Sequence, residues 1–208
     1  MQIKLTNTLT NQKEIFEPIE DGVVKMYHCG PTLYGTQHIG NLSMYVFTDI
    51  LRRTLEYKGL KVKQVINFTD FGHLSGDNEG KADEGEDRMT KGLKREGMEL
   101  TLANMKVLAQ KYAKIFLNDL SLLNIKTEDT RFPYASDYVD SQIKMIETLL
   151  EKGFAYVGSN GVYFDTAKFP SYGKLGNINL EGLEEGKRVS VSNKKNPTDF
   201  ILWKKDGK

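Results

Sequence analysis

An α/β fold built on a parallel sheet is predicted by three features of this 208-residue, 23.6 kDa sequence. Val23–Tyr27 (VVKMY) is a short β-rich run, Asn41–Tyr57 carries a helical apolar face, and Lys63–Phe68 (KQVINF) is a second β-rich run. Strand, helix and strand within about 45 residues is the spacing of a right-handed crossover, which joins parallel neighbours. Composition agrees, because 39% hydrophobic and 27% charged residues can build a core under a solvated surface.

Each element follows in order. The first strand enters the turn Cys29-Gly30-Pro31-Thr32. The helix presents Met44, Val46, Phe47, Ile50, Leu51, Leu55 and Tyr57, and Gly59 is placed to stop it. Residues 77–87 hold six acidic side chains against Lys81 alone, a net charge of −5, and read with their glycines as a surface loop. Leu100–Leu123 carries a long amphipathic pattern through Leu102, Met105, Leu108, Ala109, Tyr112, Ile115, Phe116 and Leu120. Tyr138–Leu150 carries another through Val139, Ile143, Met145, Ile146 and Leu149. Ala155–Asp165 reads as a hairpin, because Asn160-Gly161 sits between two β-branched and aromatic arms. Two helices and a hairpin in series do not extend a doubly wound sheet. Residues 1–124 are therefore expected to form the first part of the sheet domain, 125–198 an inserted subdomain, and 199–208 the start of a return to the sheet.

Several function classes are excluded. Lys plus Arg is 29 against 28 for Asp plus Glu, so the chain is no polycation and any nucleic-acid contact needs a local basic patch. Such a patch is offered by residues 187–208, with seven basic residues against Asp199 and Asp206. No apolar run approaches the 18 or so residues of a membrane span, and Met1–Asn7 resembles no signal peptide. One cysteine, Cys29, forms no intrachain disulfide, which points to a reducing, cytoplasmic setting.

Neither a P-loop nor a G-x-G-x-x-G fingerprint is present. The first strand-to-helix turn instead reads Cys29-Gly-Pro-Thr-Leu-Tyr-Gly-Thr-Gln-His38-Ile-Gly40-Asn41. Gly40 would let a ligand approach the backbone, and the helix start would offer N–H groups and a positive dipole end to a phosphate. His38 would add a donor for phosphate oxygens during attack at phosphorus. Read alone, Cys29 is a small buried hydrophobe, His28 a structural strand residue, and His73 a loop residue.

These residues also carry a resemblance. The runs Asn7–Lys13, Met26-Tyr-His-Cys-Gly-Pro-Thr-Leu-Tyr34, His38-Ile-Gly-Asn41, Asn67-Phe-Thr-Asp70, Gly153-Phe-Ala-Tyr-Val157, Tyr172-Gly-Lys-Leu175 and Lys195–Lys204 stand in the order seen in cysteinyl-tRNA synthetases. The resemblance implies a class I catalytic domain, with a Rossmann-type sheet split by a connective insertion. It implies a monomeric enzyme that activates L-cysteine with ATP and Mg²⁺, then transfers cysteine to tRNA(Cys). By position, Gly30, Thr32, His38, Gly40 and Asn41 would line the ATP site, with His38 and Asn41 catalytic. Thr69 and Trp203 would line the cysteine pocket, and Cys29 would be a Zn²⁺ ligand. Such a zinc makes physical sense: it reads the substrate's sulfur directly, where a plain pocket discriminates poorly against serine.

Three departures qualify the resemblance. Asn41 stands where the family usually has His, and Phe71-Gly72-His73-Leu74 replaces the usual I-D-D-K. The 208 residues contain no second cysteine, no completing His and Glu, and no K-M-S-K-S, so they are expected by themselves to aminoacylate little or not at all. They read either as the front of a longer synthetase or as a stand-alone remnant. Three other readings share the chemistry or the turn: the cysteine ligase of mycothiol synthesis, a small nucleotidyltransferase, and a non-catalytic paralogue that binds RNA or a partner.

Overall fold

The computed structural model describes residues 2–72, 86–176 and 194–205. His73, most of the acidic run, and residues 187–193 and 206–208 of the basic stretch lie outside the described residues. In chain order the elements are β1 (Lys4–Asn7), β2 (Gln12–Ile15), β3 (Val23–His28), α1 (Ile39–Tyr57), β4 (Lys61–Ile66), α2 (Arg88–Arg95) and α3 (Leu102–Leu122). Then come β5 (Thr130–Arg131), a 3₁₀ turn (Ala135–Tyr138), α4 (Val139–Glu151), β6 (Ala155–Val157), β7 (Gly161–Phe164) and β8 (Phe200–Lys204). They fall into two compact units. One comprises residues 17–72 and 86–138; the other comprises 2–16, 139–176 and 194–205.

The first unit contains the expected crossover. β3 and β4 pair in parallel from Val23↔Lys61 to His28↔Ile66, with α1 between them in the chain. Alternation sends Val24, Val62, Gln64 and Ile66 inward and leaves Lys25, Tyr27, Lys61 and Lys63 on the outer face. Phe68 is 2% exposed and packs edge-on or stacked against Phe116, Phe132 and Tyr134 at 5.2–5.9 Å, joining α3 to the sheet. Gly59 ends α1 at φ +84°, and the amide of Leu60 returns to the Leu55 carbonyl.

The helix is turned differently from the apolar pattern. Its buried residues are Tyr45, Asp49, Arg52 and Leu55, while Phe47 and Ile50 are exposed. Polar bonding sets this rotation. Arg52 donates to Gln64, Thr130 and the carbonyls of Lys126 and Glu128, and Asp49 accepts from the Lys126 amide. Those contacts pin the 126–130 loop and bring β5 into the sheet beside β4, at Gln64↔Thr130 and Val65↔Arg131. The first unit therefore runs through Tyr138.

In the second unit β6, β7 and β8 form an antiparallel sheet, and β1 and β2 form a separate hairpin. The expected β6–β7 hairpin is present. Its turn closes through Gly158 N to Gly161 O at 2.8 Å, with Gly161 as the first residue of β7. β8 pairs with β7, so residues 200–204 extend the hairpin sheet where a return to the parallel sheet was expected. Asp199, 1% exposed, holds this return. It accepts from Thr166 N and Oγ1 (both 2.9 Å), Tyr156 OH (2.8 Å) and Asn196 N (3.0 Å). No helix among the described residues is long and apolar enough to cross a membrane.

Candidate functional site

Parallel strands deliver ligands to their carboxyl ends, and the carboxyl ends of β3 and β4 are locked together. Gly30 N donates to Asn67 Oδ1 (3.0 Å), and Asn67 Nδ2 donates to Thr69 Oγ1 (3.1 Å). Thr69 N donates to the Pro31 carbonyl and Leu33 N to the Thr69 carbonyl, which sets Thr32 and Thr69 side by side as a parallel bridge. A Cβ on Gly30 would stand 1.5 Å from the Asn67 carbonyl oxygen. Glycine here is thus demanded by the approach of the two chains, independently of any ligand.

Cys29 opens this turn with an exposed thiol, and its carbonyl accepts from Tyr45 OH (3.2 Å). The expectation of a buried small hydrophobe is corrected: the strand register turns Cys29 outward and His28 inward. Burial of Tyr45 pushes its phenol well above the ordinary range. Burial likewise lowers the His28 pKa, keeping the ring neutral beside Gln64.

At the other end of the turn His38 is the N-cap of α1, with φ −88° and ψ 168°. Its Nδ1 accepts from Asn41 N at 3.3 Å, which requires Nδ1 unprotonated and leaves Nε2 as the exposed ring's other nitrogen. Gly40 serves this cap. A Cβ there would meet His38 Cε1 at 3.0 Å and Nδ1 at 3.1 Å, so the missing side chain makes room for the imidazole. The amides of Ile39 and Gly40 donate to no acceptor among the described residues and remain at the positive end of the helix. The side chain of Asn41 is exposed at the same helix start.

An unforeseen element buttresses the turn. In α2, Arg95 donates to the Tyr34 carbonyl and to Tyr112 OH, and Arg88 donates to Tyr34 OH at 3.2 Å while lying over its ring. Asp87 caps α2 by accepting from Met89 N at 2.8 Å. The Asp87 cap followed by buried Met89 and Leu93 four residues apart is the sequence signal for this helix, obscured by reading Asp87 as the end of an acidic loop.

The structure thus brings Cys29, Gly30, Thr32, His38, Gly40, Asn41 and Thr69 to one edge of one unit. Trp203 lies on β8 of the other unit, paired with Val162. Among the described residues no three His, Cys, Asp or Glu side chains group together as a metal site.

Comparison with known proteins adds independent information. Residues 15–208 match the family model described as tRNA synthetases class I (C) catalytic domain. The cysteine–tRNA ligase of Pyrococcus furiosus is 43% identical over 204 residues, which cover 98% of this chain and 39% of the relative. Cysteine–tRNA ligase 1 of Burkholderia lata is 44% identical over 204 residues, covering 98% of this chain and 41% of that protein. The chain therefore spans about two fifths of the length of these relatives. Among solved structures, a LeuRS–tRNA–LeuAMS ternary complex from Agrobacterium radiobacter aligns with TM-score 0.50 at 20% identity, over 73% of this chain and 18% of that one, a likeness of fold.

Proposed function

The chain belongs to the class I cysteinyl-tRNA synthetase catalytic-domain family, and from that premise we propose that it forms the ATP-binding part of a cysteine–tRNA ligase. The observation that carries the reading is the geometry of the β3–α1 turn: a capping histidine, two unengaged helix amides and paired threonines at the carboxyl ends of parallel strands.

In the reaction, a carboxylate oxygen of L-cysteine attacks the α-phosphorus of Mg²⁺-bound ATP. The bond to the bridging oxygen breaks, pyrophosphate leaves, and cysteinyl-adenylate remains. The 3′-terminal hydroxyl of tRNA(Cys) then takes the cysteinyl group and releases AMP. This chain contributes positioning and charge stabilisation. The Ile39 and Gly40 amides receive phosphate oxygens, His38 Nε2 donates to the oxygens on which charge builds, and Asn41 adds a neutral donor. Gly30 and Thr32 shape the floor, while Thr69 contacts the amino acid. The reading carries a monomeric, cytoplasmic enzyme.

Zinc would supply a soft Lewis acid for the substrate thiolate, with Cys29 as a ligand. The described donor set does not satisfy it: a catalytic zinc takes about three protein ligands, and Cys29 is grouped with no others among the described residues.

The test is cysteine-dependent ATP–pyrophosphate exchange by the protein carrying these residues. His38→Ala should lower the rate by about 10²- to 10³-fold with an unchanged circular dichroism spectrum. Exchange unaltered by His38→Ala overturns the assignment.

A further inference from the structure

The outer face of the β3–β4–β5 sheet plays no part in that chemistry, yet it carries a clear excess of one charge. Lys25, Tyr27, Lys61, Lys63, Val65 and Arg131 lie along a concavity of about 570 Å³ within the first unit, with Asp129 the one acidic residue in its lining. Register places Lys25 directly beside Lys63, and Val65 beside Arg131. Lys25 is paired with Glu20 at 2.8 Å, and Glu20 is held below the ordinary carboxylate range by Lys25 and then Lys63. Lys61, Lys63 and Arg131 are exposed and form no ion pair among the described residues.

Tyr27 stands among these cations at 67% exposure. Its hydroxyl donates to Asn67 Oδ1 at 3.0 Å, which restrains the ring on the sheet surface. A restrained aromatic on an open sheet, flanked by exposed cations, is the arrangement by which single-stranded nucleic acid is held: the ring stacks a base and the cations take neighbouring phosphates. A duplex, whose bases are already stacked, has no use for the ring.

We propose that this face binds single-stranded RNA, with a base on Tyr27 and phosphates on Lys61, Lys63 and Arg131. The inference rests on the sheet face alone and stands independently of the ligase reading, since pyrophosphate exchange needs no RNA.

Fluorescence anisotropy of a short, unstructured, end-labelled RNA tests it on the full chain across a salt titration. The wild type should bind with an affinity that falls steeply with salt. Lys61→Glu with Lys63→Glu should weaken binding and flatten the log–log salt slope by about 1.4, at roughly 0.7 per lost phosphate contact. Tyr27→Ala should lower affinity about fivefold or more with the salt slope retained. Lys106→Glu, on the exposed side of α3, should bind as the wild type. The proposal is overturned if the wild type does not bind at low salt, or if the double lysine variant binds like it. It is equally overturned if duplex RNA or heparin competes as well as single strands and Tyr27→Ala changes nothing, which would make the face a general polyanion surface.

Discussion

Replacing Asp199 with asparagine should dismantle the clasp that returns the chain to the hairpin sheet. The carboxylate is 1% exposed and accepts from Thr166 N, Thr166 Oγ1, Tyr156 OH and Asn196 N. Each such bond to a charged acceptor contributes roughly 1.5–3 kcal/mol, against about 0.5–1.5 for a neutral one. In Asp199→Asn the amide keeps one acceptor oxygen and turns its NH₂ towards donors, leaving at least one of them unsatisfied at a further cost of about 1–3 kcal/mol. Because bonds in one network are not additive, the expected loss is about 3–5 kcal/mol. Trp203 is the chain's single tryptophan and lies four residues beyond Asp199, so urea unfolding followed by its fluorescence reports this unit. Burial raises the Asp199 pKa, but the bonds from Thr166, Tyr156 and Asn196 outweigh it and hold the group below the ordinary range. Its stabilisation is therefore complete above the unfolded value of about 3.9 and is lost as pH falls through the folded pKa. Asp199→Asn should remove that acid dependence. A variant within about 1 kcal/mol of wild type, with an unchanged acid limb, refutes the reasoning.

Other outcomes follow from the site and its support. Gly30→Ala must part the ends of β3 and β4, because its Cβ would stand 1.5 Å from a carbonyl oxygen; a loss of about 3 kcal/mol or more is expected by thermal unfolding. Gly40→Ala should change stability by less than about 1 kcal/mol, since better helix propensity offsets a weakened cap. The same change crowds the His38 ring, so pyrophosphate exchange should fall about tenfold or more while the melting curve stays put. Arg52→Met strips a donor from Gln64, Thr130 and two carbonyls of the 126–130 loop, and should cost about 3–5 kcal/mol in chemical denaturation, with Arg52→Lys intermediate.

What could be read from the sequence was whatever one local rule determines. The β3–α1–β4 crossover follows from two β-rich runs and a helix between them. The hairpin was signalled by Asn160-Gly161, and the stop at Gly59 by a left-handed position. What could not be read depended on polar groups meeting across the chain. Arg52 and Asp49 look like solvent-facing helix residues until the 126–130 loop supplies their partners, and the pattern rule then misplaces the buried face. β5 is two residues long and exists because that loop is pinned. At the site, the strand-to-helix turn was legible from the β-rich run before it and the helical face after it. The histidine cap was not, since His is not a favoured N-cap and its reach to Asn41 needs the space at Gly40.

The Arg52 clasp also orders events in time. Its carbonyl partners lie 74 and 76 residues away in sequence, about twice the separation of Val23 and Lys61 at the start of the parallel ladder. A doubled loop costs only about 0.6 kcal/mol more to close, yet the guanidinium gains nothing until the crossover already presents Gln64 beneath it. The crossover should therefore form first and the clasp afterwards. In kinetic terms, Arg52→Met should accelerate unfolding while leaving the refolding rate nearly unchanged.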